Sequence, residues 1–159
     1  MPRGLDLHQY RRCSVSCFST VVASNLIKVV GSREGWVGAT VSDPVTLYGL
    51  NEEIRAYGFN VLLKNSIVGY IIVNTGANDA PVPEFGVGGG LPFLSVMNQV
   101  PQAAMSQLKA GETFGKQKIV YLSALEYVTE LPIYQGQHNK GSLYVDTRNG
   151  KVYHRSDLV

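Results

Sequence analysis

The stretch AYGFNVLLKNSIVGYIIVNTGANDAPVPEFGVGGG, residues 56–90, decides the fold. β-Branched and aromatic residues fill Tyr57 to Leu63 and Ile67 to Asn74, and such residues suit a pleated, half-buried surface. Lys64-Asn65-Ser66 between them suits a turn, so the pattern predicts a β-hairpin. A polar turn, Thr75 to Ala80, then leads into a third strand at Pro81 to Val87. The segment carries folding chemistry and little catalytic chemistry.

Upstream, Cys17, Val21, Val22, Leu26, Val29 and Val30 recur at three- and four-residue spacing, which predicts an amphipathic helix from Ser14 to Val30 with Gly31 as its C-cap. Val41 to Leu50 reads as a strand broken by Asp43-Pro44, because proline donates no ladder hydrogen bond. Asn51-Glu52-Glu53 reads as a turn. Downstream of the glycine run, Phe93, Val96, Met97, Val100, Ala104 and Leu108 predict a second helix, kinked or split at Pro101. Gly111 to Lys116 reads as a loop, and Lys118–Ser123, Glu126–Tyr134 and Gly141–Asp146 as strands. Thr147-Arg148-Asn149-Gly150 carries a strong Asn-Gly turn signal, with Lys151 to Arg155 returning. Strands in consecutive runs argue for an α+β fold: an antiparallel β-sheet meander with two packing helices. The expected organisation is a leader over 1–12, disordered or a residual targeting segment, and one α+β domain over 13–159, with sub-lobes 13–110 and 111–159 if it divides.

The chain has 159 residues, 45% hydrophobic and 16% charged, which favours a packed globular protein over a disordered one. A net charge of +2, with no basic run interleaved with aromatics, gives no case for a nucleic-acid partner. No apolar stretch is read as reaching the roughly 18 residues that span a bilayer, so no transmembrane segment is expected. Arg3, Arg11 and Arg12 before Cys13–Ala23 follow the order of a signal peptide. Ser14, Ser16, Ser19 and Thr20 dilute the apolar run, and a helix of the folded domain is the preferred reading. On that helix Cys13 and Cys17 would sit at i and i+4, where helical geometry disfavours a disulfide. They read as small apolar residues or free thiols. With only His8 nearby, they make no metal site.

A nucleophile needs a base within hydrogen-bond reach. Cys17 could be paired on paper with His138 or His154, but helix packing explains Cys17, and no catalytic residue is assigned. Glu84, Glu126 and Glu130 alternate with apolar neighbours and read as exposed strand-face carboxylates; Glu52 and Glu53 read as solvated. Gly86-Val87-Gly88-Gly89-Gly90 lacks the Lys-Ser/Thr that a phosphate-cradling loop requires and reads as a strand-to-helix crossover. The strand tyrosines, among them Tyr70, Tyr121, Tyr127 and Tyr144, read as sheet packing. No metal site and no cofactor is assigned.

Several of these segments together resemble the prodomain of streptopain-type cysteine peptidases, a cystatin-like inhibitory domain. They are Ala23-Ser24-Asn25-Leu26-Ile27, Tyr57-Gly58-Phe59-Asn60, Val68-Gly69-Tyr70-Ile71-Ile72-Val73 followed by Pro81-Val82-Pro83-Glu84-Phe85, and the glycine-rich crossover. The likeness covers roughly residues 18 to 110. The tail from Leu143 to Tyr153 resembles the closing hairpin of PepSY-type domains. The resemblance implies a cystatin/PepSY-like fold and a secreted or cell-envelope location. It implies a module, not an enzyme, that inhibits or helps fold a papain-fold cysteine peptidase in cis or in trans. Within the turn, Asn74, Thr75, Gly76, Asn78 and Asp79 are the candidate peptidase-contact loop, since that backbone would project from the sheet end. The competing expectations are an extracellular structural or adhesive module, suggested by the strand tyrosines and low charge, and a small hydrolase built around His138 or His154.

Overall fold

A computed structural model of the chain describes residues 14–76, 79–94, 97 and 99–159. It is an α+β fold with mostly antiparallel strands and one main helix. The chain forms two compact units: residues 14–46 with 56–91, and residues 47–55 with 92–159.

The first unit is organised by helix α1, Val15–Glu34. Its N-cap is Ser14, whose Oγ accepts from the Cys17 N–H at 3.2 Å and satisfies one of the orphan donors of the first turn. The helix runs one turn past the expected end. Gly31 lies buried inside it, and Gly35 (φ 74°) takes the left-handed cap, donating to the Gly31 carbonyl. Ser19, Ala23, Ile27 and Val30 form the buried face. Val15, Phe18 and Val29 stay exposed.

Two expectations for this helix are corrected. Its most apolar 18-residue window has a mean hydropathy of 1.4, long and apolar enough to cross a membrane, though 28% of that window is buried in the fold. Hydroxyl side chains dilute the run too weakly, and Lys28 is the only charge between Val15 and Ser32. Cys17 is disulfide-bonded, not a free thiol. A bridge is disfavoured only where both cysteines sit on one helix, and this helix starts at Val15; Cys13 lies outside the described residues.

The helix packs on a meander. The predicted strand before the hairpin is two short pieces, β1 (Thr40–Val41) and β2 (Val45–Tyr48), separated at Asp43-Pro44. β3 (Ile54–Leu63) and β4 (Ser66–Asn74) form the hairpin, with Phe59 opposite Ile71 and Tyr57 opposite Val73. Lys64 and Asn65 both have positive φ, 50° and 66°, as a two-residue primed turn requires. β5 (Glu84–Val87) pairs with β4, setting Phe85 opposite Ile71. β1 pairs with β3. Ala23, Ile27, Val30, Trp36, Tyr57, Phe59, Val61, Ile71 and Val73 make the core. Trp36 is fully buried over Gly69, where an added Cβ would lie 2.3 Å from its ring. Its indole N–H donates to the Val68 carbonyl at 3.3 Å.

In the second unit the antiparallel order is β7 (Lys118–Ser123), β8 (Glu126–Gln135), β9 (His138–Asp146) and β10 (Val152–Tyr153), and β6 (Glu112–Phe114) pairs with β8. Residues 47 and 48 of β2 pair with β7 in parallel, Leu47 opposite Ile119. The Asn149-Gly150 turn forms as expected, with Gly150 at φ 73°. The second helix differs. Only α2, Gln102–Met105, is helical, and Pro101 is its N-cap rather than a mid-helix kink; Ser95, Val96 and Asn98 lie outside the described residues. Proline is well tolerated at a helix start, where its missing N–H has no partner to lose. The predicted loop at Gly111 to Lys116 contains β6, and β9 begins at His138 rather than Gly141. Ala104, Leu131, Leu143 and Val145 pack on one sheet face, and Val120, Val128 and Tyr144 on the other.

Candidate functional site

The turn singled out from sequence connects β4 to β5. Asn74 closes its base: its backbone N–H donates to the Pro81 carbonyl at 2.9 Å and its side-chain amide to the Ala80 carbonyl at 3.0 Å. Inside the loop the Asp79 N–H donates to the Gly76 carbonyl at 3.3 Å. Gly76 needs its bare Cα, since a Cβ there would lie 2.4 Å from an Asp79 carboxylate oxygen. Thr75 is half-buried, Gly76 and Asp79 are exposed, and Asn78 lies outside the described residues. The loop is thus pinned at its root, and Gly76 and Asp79, its described residues beyond Thr75, are exposed.

Next to it, β5 pairs with β4 alone among the described residues, so it is an edge strand. Such an edge presents unpaired main-chain donors and acceptors. Phe85 and Val87 alternate with Glu84 and Gly86 and are 36% and 53% exposed. Phe85 meets the edge of Trp36 with ring centres 5.9 Å apart. Val37 is exposed one residue beyond that indole. The strand is where its sequence pattern predicts one, and its position at the edge comes from the pairing order. Pro81 and Pro83 are the signal, because proline beside a strand favours edges.

The carboxylates correct the sequence reading. Glu84 and Glu130 are buried, whereas Glu126, Glu52 and Glu53 are exposed as expected. A buried carboxylate must be hydrogen-bonded. Glu84 accepts from the Tyr70 hydroxyl at 2.8 Å. The Tyr70 ring lies across Gly86, where a Cβ would sit 2.2 Å from it. Glu130 accepts from the Ser142 hydroxyl at 2.9 Å and from the Tyr144 hydroxyl. Tyr144 stands opposite Glu130 on the neighbouring strand. Burial, and then the Glu130 charge, push the Tyr144 phenol above its ordinary value. The tyrosines are packing residues, as read: Tyr121 and Tyr127 stack at 5.4 Å, and Tyr127 meets Phe93 at 5.2 Å.

Asp146, also buried, is gripped by Arg148 through its Nε at 3.3 Å, its Nη2 at 3.1 Å and its backbone N–H at 2.8 Å. The Arg148 side-chain hydrogen bonds hold the Asp146 carboxyl below its ordinary value.

The histidines do not complete a nucleophilic site with Cys17, because a disulfide sulfur has no thiolate to activate. His138 lies exposed in β9, and His154 is exposed ahead of a short 3-10 turn, its backbone N–H donating to Asp157 at 2.9 Å. Among the described residues no three His, Cys, Asp or Glu side chains gather as a metal site would require. No family model, no curated protein and no solved structure matches the chain.

Proposed function

We propose that the chain is a non-catalytic, cystatin/PepSY-like module that binds a papain-fold cysteine peptidase, in cis or in trans, and restrains it or helps it fold. The supporting observation is the edge strand β5, with Phe85 and Val87 partly exposed beside Trp36 and next to the pinned β4–β5 loop. An edge of this kind accepts an extended segment by main-chain pairing, while alternate side chains supply selectivity. The segments that carry the resemblance, Tyr57–Asn60 and Val68–Val73, form the central hairpin that holds this edge in place. The Cys17 disulfide suits the oxidising surroundings of a secreted or cell-envelope protein.

The test is a titration of the purified chain into a papain-fold cysteine peptidase from the same source. Activity that falls as the chain is added, with a complex that co-elutes on gel filtration, is the expected result. A peptidase that keeps full activity, elutes alone and refolds no faster with the chain present would sink the proposal. In the positive case, Phe85→Asp should weaken inhibition by about tenfold or more, the scale of one apolar contact at an interface centre.

A further inference from the structure

We propose that two copies of the chain pair through their β5 strands, antiparallel across a two-fold axis at Gly86, so that β5 of one copy continues the sheet of the other. The main-chain geometry of β5 carries the inference. In an antiparallel ladder, pairs that exchange hydrogen bonds alternate with pairs that do not. The Gly88 N–H donates to the Val68 carbonyl at 2.8 Å. Tyr70 opposite Gly86 and Ile72 opposite Glu84 follow at two-residue steps, so these residues also bond across to β4. Phe85 and Val87 stand at the positions between. Their N–H and C=O groups therefore turn to the open side of β5, where no strand pairs among the described residues.

The chain itself supplies a strand that fits. Open edges are commonly guarded by lysine or by a bulge. β5 shows no register shift against β4, and no lysine or arginine occurs between Lys64 and Lys109. The one charge in β5, Glu84, is buried and accepts from the Tyr70 hydroxyl at 2.8 Å. An isologous pairing suits such an edge, because the same uncharged surface meets itself. An axis at Gly86 sets Phe85 against Val87 of the second copy and Val87 against its Phe85. Only that register satisfies the N–H and C=O of both residues in both copies.

The side chains agree with this register. Phe85 and Val87 share one face by strand alternation, and Phe85 meets Trp36 there. They are 36% and 53% exposed. Across the seam an aromatic residue thus faces a β-branched one, a favourable cross-strand pair. On the axis Gly86 faces Gly86, a pair without hydrogen bonds whose Cα atoms approach to about 4.5 Å. The charges fit as well. The antiparallel seam lays Glu84 opposite Gly88 of the second copy, at the start of an uncharged glycine run. A parallel seam would bring the two Glu84 side by side.

Pro83 has no N–H to continue the ladder, and Gly88 turns at φ 99°. So short a seam buries less than the about 1,600 Å² of a standard interface, and the dimer is weak and reversible. It occupies the edge assigned above to a peptidase, so the two associations exclude each other. The dimer does not itself rest on that assignment.

The test is sedimentation equilibrium of the full chain from about 10 µM to 1 mM, a range chosen for weak pairs. A monomer–dimer equilibrium with Kd inside that range is expected. Val87→Lys places a charge on the seam and should weaken the dimer at least about tenfold. Val29→Lys, on the exposed face of α1, should dimerise as the unaltered chain does. Amide exchange of the unaltered chain gives a reading that no substitution can disturb. At 1 mM the Phe85 and Val87 N–H groups should exchange at least about twofold more slowly than at 50 µM, with the Gly86 N–H unchanged. A chain that stays monomeric, or that grows beyond a dimer, overturns the proposal. So does a dimer lost in Val29→Lys and kept in Val87→Lys, or one that leaves the Phe85 and Val87 amides unprotected.

Discussion

Each of the two units buries a glutamate on a strand and answers it with a tyrosine, but they do so in different settings. Tyr70 and Glu84 lie diagonally across β4 and the edge strand β5, in the unit whose core is a helix and a fully buried tryptophan. Tyr144 and Glu130 stand directly opposite each other on two inner strands, with Ser142 as a second donor. Near an edge, one tyrosine reaching over a glycine meets the carboxylate. Deep in a sheet, the carboxylate is held by a small network. Strand alternation puts a residue on a face, and partners from non-adjacent sequence decide whether that face can bury a charge.

The largest expected effect would break the first unit alone. Trp36→Ala removes a side chain with no exposed surface and should destabilise the protein by about 3–5 kcal/mol, read from the denaturant midpoint. A loss under about 1 kcal/mol would mean that the tryptophan does not hold this core.

Next comes the glycine under Tyr70. Gly86→Ala places a methyl 2.2 Å from a ring atom, so it should cost about 1–3 kcal/mol by overpacking. It should also shift the near-ultraviolet tyrosine signal. An unchanged spectrum with unchanged stability would show that the ring has room to move.

The two tyrosines then sharpen the comparison. Tyr70→Phe and Tyr144→Phe should each cost about 1–2 kcal/mol at neutral pH by removing a donor from a buried carboxylate. Combining Tyr144→Phe with Ser142→Ala should cost more than the two single losses together, since both act on Glu130. Strict additivity would count against a network.

Two pH effects should be smaller. The Tyr144 phenol stands above its ordinary value of 10.0 in the fold. Folding therefore favours the neutral phenol, and this stabilisation, complete below the ordinary value, is lost as pH rises through the higher folded value. Tyr144→Phe should flatten that alkaline limb of the melting temperature. Asp146 lies below its ordinary 3.8. Its stabilisation is present above the ordinary value and is lost as pH falls through the lower folded one. Arg148→Ala should lower the melting temperature at neutral pH and converge with the unaltered chain in strong acid. A gap that persists there would assign the effect to packing.

What the sequence made legible was local. The 57–74 hairpin, the Ser14 helix start and the Asn149-Gly150 turn each rest on chemistry within a few residues, and each forms. The helix end was ambiguous because Gly31 and Gly35 are both suitable caps, and only burial separates them. Pro101 could kink or begin a helix, and the residue type alone does not choose. The burial of Glu84 and Glu130 was illegible because their partners arrive on other strands. For the site, the polar residues of the 74–80 segment marked a connection between two strands, and β4 and β5 flank it. The neighbouring edge emerged only from the pairing order.

The parallel pairing of β2 with β7 bears on how the chain is made. During synthesis Leu47 leaves the ribosome long before its partner Ile119, with the whole Ala56–Leu91 hairpin region in between. The helix-bearing unit can gather its strands as they emerge. The other must keep one strand waiting, its hydrogen-bonding edge open, until β7 appears. Loop closure of that length is slow and leaves an unpaired strand exposed to neighbours. The nascent chain is therefore most vulnerable to aggregation after the first unit has formed and before β7 is made, the interval in which a chaperone would matter most.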